Sequence, residues 1–279
     1  MFADLLKQVR ETQPLIHNIT NYVTVNDCAN IVIACGASPI MADDPAEVAE
    51  VTTICAGLTI NIGTLNSRTV ESMCLAGKTA NALHHPVVFD PVGVGVSALR
   101  METAKRLLRE VKCSVIRGNI TEIKTLDRLI GGLGVPGRIR GVDASAPDAI
   151  TEETLESGIA FVKAFAQKAG AVVVITGAID LVSDGARTYV IYNGRKEMAS
   201  VTGTGCQLSA MTSAFVAANP NQILDAAAAA VCAMGLAGEI AYRRMSKEDG
   251  NASYRNYIID AIYRMSPQEL AKGARYEMR

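Results

Sequence analysis

The chain has 279 residues, 49% of them hydrophobic and 20% charged, with a net charge of −1. So apolar a composition excludes a disordered chain. So even a charge, without a basic tail or a block of like charges, excludes electrostatic capture of nucleic acid or of an anionic membrane.

In chain order, Phe2, Leu5, Leu6 and Val9 recur at helical spacing, and Pro14 closes that helix. Leu15-Ile16-His17-Asn18-Ile19-Thr20 reads as a short strand running into a polar turn. Val25–Ala34 is the next helix, with Gly36 placed to cap it. Ser38-Pro39-Ile40-Met41 is extended and Pro45–Ile54 helical. The rhythm then sharpens: the apolar runs 58–62, 87–90 and 114–117 read as strands, each followed by a helix, at 67–83, 99–111 and 119–129. Short apolar runs separated by amphipathic helices are the pattern of βαβ units, whose parallel sheet is buried on both faces.

Gly131–Ala146 is glycine-rich and reads as a mobile loop, too short to link two domains. A helix bearing Leu155, Ile159 and Val162 and the strand Ala171–Thr176 follow, then an antiparallel hairpin of Ile179–Ser183 and Thr188–Tyr192. The last third is mostly helical. Its most apolar run, Ala226–Gly238, holds 13 residues between Asp225 and Glu239, fewer than the ~20 that cross a bilayer. The expected fold is one α/β domain over residues 1–279, in three layers around a mostly parallel sheet. Seven cysteines without a CxxC pair, and a start without a leader pattern, lead us to expect a cytoplasmic protein with its thiols in the core.

In open parallel sheets, ligands bind beyond the carboxyl ends of the strands, and the unusual polar and glycine residues cluster there. Thr202-Gly203-Thr204-Gly205-Cys206 opens an apolar helix. Glycines 203 and 205 allow a tight turn whose free N–H groups, with the helix dipole, suit an anion such as a phosphoryl group. Cys206 falls in the first turn, where a thiolate is favoured and the thiol pKa is expected to fall. The alternative is an ordinary helix cap over a buried cysteine. Asp90-Pro91-Val92-Gly93-Val94-Gly95 follows a strand directly. It reads as a carboxylate for a hydrated Mg²⁺, as a plain turn, or as a dinucleotide fingerprint. Only an NADP version of the last survives, because Arg117 stands where an acidic residue is needed.

Arg117-Gly118-Asn119-x-x-Glu122 places an arginine at a strand end beside an Asn–Glu pair. It fits phosphate and a divalent ion, or a variant capping box. Thr176-Gly177 could approach a nucleotide phosphate or simply turn. His17-Asn18-Ile19-Thr20-Asn21 and Ser38-Pro39-Ile40-Met41-Ala42 mix amides, hydroxyls and a soft thioether, as a pocket for a small heteroaromatic molecule does. Adjacent His84 and His85 diverge on a helix and cannot share a metal. No P-loop is present.

These five segments, in this order and spacing, resemble the hydroxyethylthiazole kinase family over nearly the whole chain. The resemblance implies a ribokinase-like fold and ATP- and Mg²⁺-dependent phosphorylation of the alcohol of 4-methyl-5-(2-hydroxyethyl)thiazole, a salvage step toward thiamine. It also implies a homotrimer with sites at subunit boundaries. By motif, Met41, the Gly203 backbone and the Asn18 segment would face the thiazole, and Arg117, Thr176 and Asn119 the ATP. Glu122 and Asp90 would lie at Mg²⁺, and Gly203, Gly205 and Cys206 at the reacting alcohol. Relatives in the wider ribokinase superfamily usually carry Asp where Cys206 stands; an unperturbed thiol has a pKa near ~8.5 against ~3.9 for Asp. The alternatives are an ATP- or ADP-dependent dehydratase on the same fold and an NADP-binding protein.

Overall fold

The computed structural model describes residues 1–132 and 149–279; the loop expected at Gly131–Ala146 lies almost wholly outside the described residues. Among the described residues a nine-stranded sheet forms in the order β2-β1-β3-β4-β5-β6-β7-β8-β9. Its parallel strands are β1 (Leu15–Ile19), β2 (Ser38–Ile40), β3 (Gly57–Asn61), β4 (Val87–Asp90), β5 (Val115–Asn119) and β6 (Val172–Thr176). The hairpin β7 (Asp180–Ser183) and β8 (Thr188–Ile191) is antiparallel, as its sequence predicts. A further strand, β9 (Tyr276–Met278), pairs antiparallel with β8. Its Tyr276-Glu277-Met278 alternates, but three exposed residues are too short a run to read as a strand, so the sequence reading missed it.

Helices cover both faces. On one lie α1 (Phe2–Thr12), α2 (Val25–Cys35), α8 (Thr204–Ala218), α9 (Ile223–Arg244), α10 (Asn251–Arg264) and α11 (Pro267–Gly273). On the other lie α3 (Val48–Ile54), α4 (Ser67–Ala82), α5 (Ala98–Glu110), α6 (Ile120–Ile130) and α7 (Leu155–Ala169). The strands divide their side chains between the two cores. Val88 packs toward α8 while Val87 and Phe89 pack toward α4 and α5, which is why the strands read as unbroken apolar runs.

Two helices carry the molecule's most apolar sequence. In α8 every residue from Cys206 to Val216 is buried, and its serines let it sit close to the sheet. Thr59 Oγ1 donates to Ser213 Oγ at 2.9 Å, and Ser213 Oγ donates on to the Leu58 carbonyl at 3.2 Å. The helix α9 extends beyond the apolar run at 226–238 and is long and apolar enough, by length and composition, to cross a membrane. However, 83% of its most apolar window is buried inside this fold, so its apolar surface is spent on the core.

Candidate active site

The parallel strands deliver polar residues to one edge. Asn61 and Asp90 end β3 and β4 in register, and Asn119 and Thr176 end β5 and β6 in register. Arg117 is not a strand end, as its sequence suggests. Strand β5 continues two residues past it, with Arg117 paired to Val174, because Gly118 and Asn119 remain extended until Asn119 caps α6.

The start of α8 arrives over this edge. Gly203 has φ +83° as the residue preceding the helix, a conformation that favours glycine, and a β-carbon there would run into the Thr24 side chain. The first intrahelical bond runs from Gln207 N–H to the Gly203 carbonyl, so the amides of Thr204, Gly205 and Cys206 precede the hydrogen-bond ladder. Gly205 lies against the Arg117 guanidinium, close enough that a β-carbon would overlap it. Arg117 Nη2 donates to Thr176 Oγ1 at 2.6 Å, and Nη1 lies 3.7 Å from Asp90 Oδ2. Its Nε is buried and finds no partner among the described residues. A guanidinium and the positive end of a helix dipole thus converge, an arrangement that repels itself unless an anion joins it.

Asp90 is fully buried. Its Oδ2 accepts from Asn61 Nδ2 at 2.9 Å and from Ser209 Oγ at 2.7 Å, whereas its Oδ1 finds no partner among the described residues. Burial pushes the Asp90 carboxyl up, against the opposing pull of Arg117 and these two donors. Asn61 Oδ1 accepts from Asn21 Nδ2 at 3.1 Å, and the same Nδ2 reaches Cys206 Sγ at 3.2 Å. A directed amide chain therefore joins Cys206 to Asp90. Burial, reinforced by Asp90's charge, raises the Cys206 thiol above its usual range, and Thr24, Arg117 and Asn21 only partly offset this. The lowered thiol pKa expected from helix position is therefore reversed: desolvation outweighs the helix start.

Glu122 joins the same cluster. Its Oε1 accepts from Gly93 N–H and its Oε2 from Asn119 N–H, each at 2.8 Å, while Asn119 Oδ1 accepts from Glu122 N–H at 2.9 Å. The capping box is real, and its glutamate additionally fastens the turn that follows Asp90. Burial first, then Asp90's charge, push Glu122 up to about 7.

No group of three or more His, Cys, Asp or Glu with metal-holding geometry exists among the described residues. Mg²⁺ needs no such cage, since it keeps several waters and takes one or two carboxylates plus substrate phosphates. The unpartnered, buried Oδ1 of Asp90 with Glu122 behind it fits that requirement.

At the near end of the sheet, His17 Nε2 lies 2.9 Å from the Ala42 carbonyl and Nδ1 lies 2.9 Å from Thr52 Oγ1. These contacts fasten the segment carrying Met41, which is partly buried against the α8-side core. Asn18 is 2% exposed, and its Nδ2 donates to the Ile16 carbonyl of its own strand at 2.9 Å. His84 and His85 fall in the turn after α4, His84 with φ 59°. Sequence reasoning missed Asn61 and Ser209. Asn61 ends an apolar run just as Asp90 does, and Ser209 lies three residues after Cys206, both usable signals.

Three layers around a mostly parallel sheet, with a glycine-built helix start, an arginine and a buried aspartate at the carboxyl edge of its strands, form a ribokinase-like fold. A ribokinase-like superfamily protein from Enterococcus faecalis shares the fold, with a TM-score of 0.65 at 13% identity over 98% of this chain and 95% of that one. The chain belongs to the hydroxyethylthiazole kinase family, whose description matches residues 6–268. The hydroxyethylthiazole kinase of Clostridium acetobutylicum is 58% identical over 277 residues, 99% of each chain. The structure of the hydroxyethylthiazole kinase protein from Pyrococcus horikoshii OT3 superposes with a TM-score of 0.86 at 34% identity, covering 100% of this chain and 98% of that one. Neither the dehydratase nor the NADP-binding alternative finds support in these relationships.

Proposed function

We propose that the chain transfers the γ-phosphoryl group of ATP to the hydroxyl of 4-methyl-5-(2-hydroxyethyl)thiazole, with Mg²⁺, in the cytoplasm, as a homotrimer salvaging the thiazole half of thiamine. One observation carries the reading: the Arg117 guanidinium lies against Gly205 at the uncapped start of α8, with Asp90 directly beneath. That concentration of positive potential over one carboxylate suits the charge spread over a phosphoryl group in flight.

In this reading the amides of residues 204–206 and Arg117 cradle the γ-phosphoryl. Thr176 fixes Arg117 from one side, and Asp90 and Glu122 face the hydrated cation, which when bound neutralises triphosphate charge. Met41 and the Gly203 backbone hold the thiazole. The alcohol oxygen bonds to the γ-phosphorus as the bridge to ADP breaks. Cys206 is held as a thiol, so it is not a preformed base. We assign it to orienting the hydroxyl, whose proton passes, late in a loose transition state, to an oxygen of the transferred phosphoryl group. Large exposed apolar side chains on the β1–α2 loop and on α2 and α3, namely Tyr22, Val23, Ile33 and Ile54, support the trimer.

The test is ADP release from ATP and Mg²⁺ with and without the thiazole alcohol. Release that requires the thiazole, matched by phosphorylated thiazole, is the expected result; no thiazole-dependent release at any pH overturns the assignment.

A further inference from the structure

The guanidinium of Arg100 binds three main-chain carbonyls at once: Nη1 donates to Ile62 O at 2.7 Å and Val92 O at 2.5 Å, and Nη2 to Gly63 O at 2.6 Å. This arginine is the third residue of α5. A cation in the first turn of a helix faces the wrong end of the dipole, so helix formation does not explain it. What it holds does. Ile62 and Gly63 follow Asn61 on β3, and Val92 follows Asp90 on β4. Each clamped segment is wired to the site: Gly63 N–H donates to Asn61 Oδ1 at 2.9 Å, and Gly93 N–H, next to Val92, donates to Glu122 at 2.8 Å. Ile62 N–H meets the Asp90 carbonyl at 3.2 Å. A planar fork offers donors from two nitrogens held apart in fixed geometry and so bridges both turns, whereas an ammonium's three donors radiate from a single atom.

We propose that Arg100 is a positioning residue for phosphoryl transfer. By locking the turns after β3 and β4 together it sets the Asp90 and Glu122 carboxylates against each other, and through Asn61 and Asn21 it sets Cys206. Arg100 touches neither phosphate nor alcohol. This inference rests on the site reading above. Because the clamp acts on the cation side and not on the Met41 side, it predicts a split between kinetic constants.

Arg100→Ala is expected to lose about 100-fold in kcat, with the KM for thiazole little changed. Binding of Mn²⁺ with ADP, read by electron paramagnetic resonance without turnover, is expected to weaken by about tenfold. Free guanidinium at millimolar concentration should restore rate to Arg100→Ala and not to Asp90→Ala, while the loss of Mn²⁺·ADP binding at unchanged thiazole KM separates positioning from a merely structural role. Arg109→Ala, at the exposed end of the same helix, should match the parent. A kcat close to the parent's, or a loss that guanidinium does not reverse, overturns the proposal. If the alanine variant does not fold, Arg100→Lys decides: a reduced kcat at unchanged thiazole KM supports the clamp and the parent's kcat overturns it. Mn²⁺·ADP binding indifferent to Asp90→Asn overturns the site reading itself and so separates that failure from the clamp's.

Discussion

Asp90 divides its two oxygens unequally. Oδ2 takes both hydrogen bonds, from Asn61 and Ser209, and the nearby Arg117, while Oδ1 finds no partner among the described residues. A buried acceptor without a partner is costly, and here it marks where a ligand belongs. Glu122, pressed into the same pocket, supplies a pH test. Its carboxyl is pushed up to about 7 from the ordinary 4.5, so between those values the folded, metal-free chain holds a proton that the unfolded chain releases. Stability from this group is therefore present below about 4.5 and lost as pH rises toward 7. Denaturant unfolding without metal is expected to show Glu122→Gln gaining on the parent across that window, by at most about 3 kcal/mol. A stability difference constant from pH 4.5 to 7 contradicts the buried placement. Among these residues Asp90, Arg117 and Glu122 are legible in the sequence because each lies within three residues of a glycine or a helix cap near the carboxyl end of a strand. The amide chain is not: Asn21 and Asn61 lie 40 residues apart and Asn61 and Asp90 lie 29 apart, so only the order of strands in the sheet brings them together.

At the scale of elements, the start of α8 is the most legible feature, since Gly203-Thr204-Gly205 before a largely apolar helix announces a tight turn. The partner that gives its second glycine a purpose is not legible, because Arg117 meets Gly205 across the sheet edge. Gly205→Ala puts a methyl group into the guanidinium. It is expected to cost about 100-fold in kcat by displacing Arg117, with little change in melting temperature. Gly77→Ala is the opposite case. Its β-carbon would sit 2.5 Å from the Val111 side chain, between α4 and the end of α5, so it is expected to cost about 1–3 kcal/mol by overpacking and leave kcat intact. Thermal unfolding and steady-state kinetics on both variants check this; a Gly205→Ala enzyme with the parent's rate removes the packed arginine from the account.

At the scale of the molecule, alternation of apolar runs and amphipathic helices foretells a parallel sheet buried on both faces, and its carboxyl edge then gathers the site. The sequence does not foretell β9, whose three exposed residues gain strand geometry only by pairing with β8. Tyr22 at 78% exposure and Val23 at 59% sit immediately before α2, beside the site edge that Asn21 enters. We propose that these apolar groups, left in water, are used in association. Sedimentation equilibrium is expected to show a trimer, and Tyr22→Asp with Val23→Asp to shift it toward monomer with loss of thiazole affinity; a monomeric parent with full activity contradicts the subunit-boundary site.

The measurement that bears most directly on the account is a crystal structure with a non-hydrolysable ATP analogue, Mg²⁺ and the thiazole alcohol bound together. It should place the γ-phosphoryl within hydrogen-bonding reach of the amides of residues 204–206 and of Arg117, with the hydroxyl beside Cys206 and the cation on the Asp90 Oδ1 side. Nucleotide or thiazole seated away from the start of α8 would contradict it.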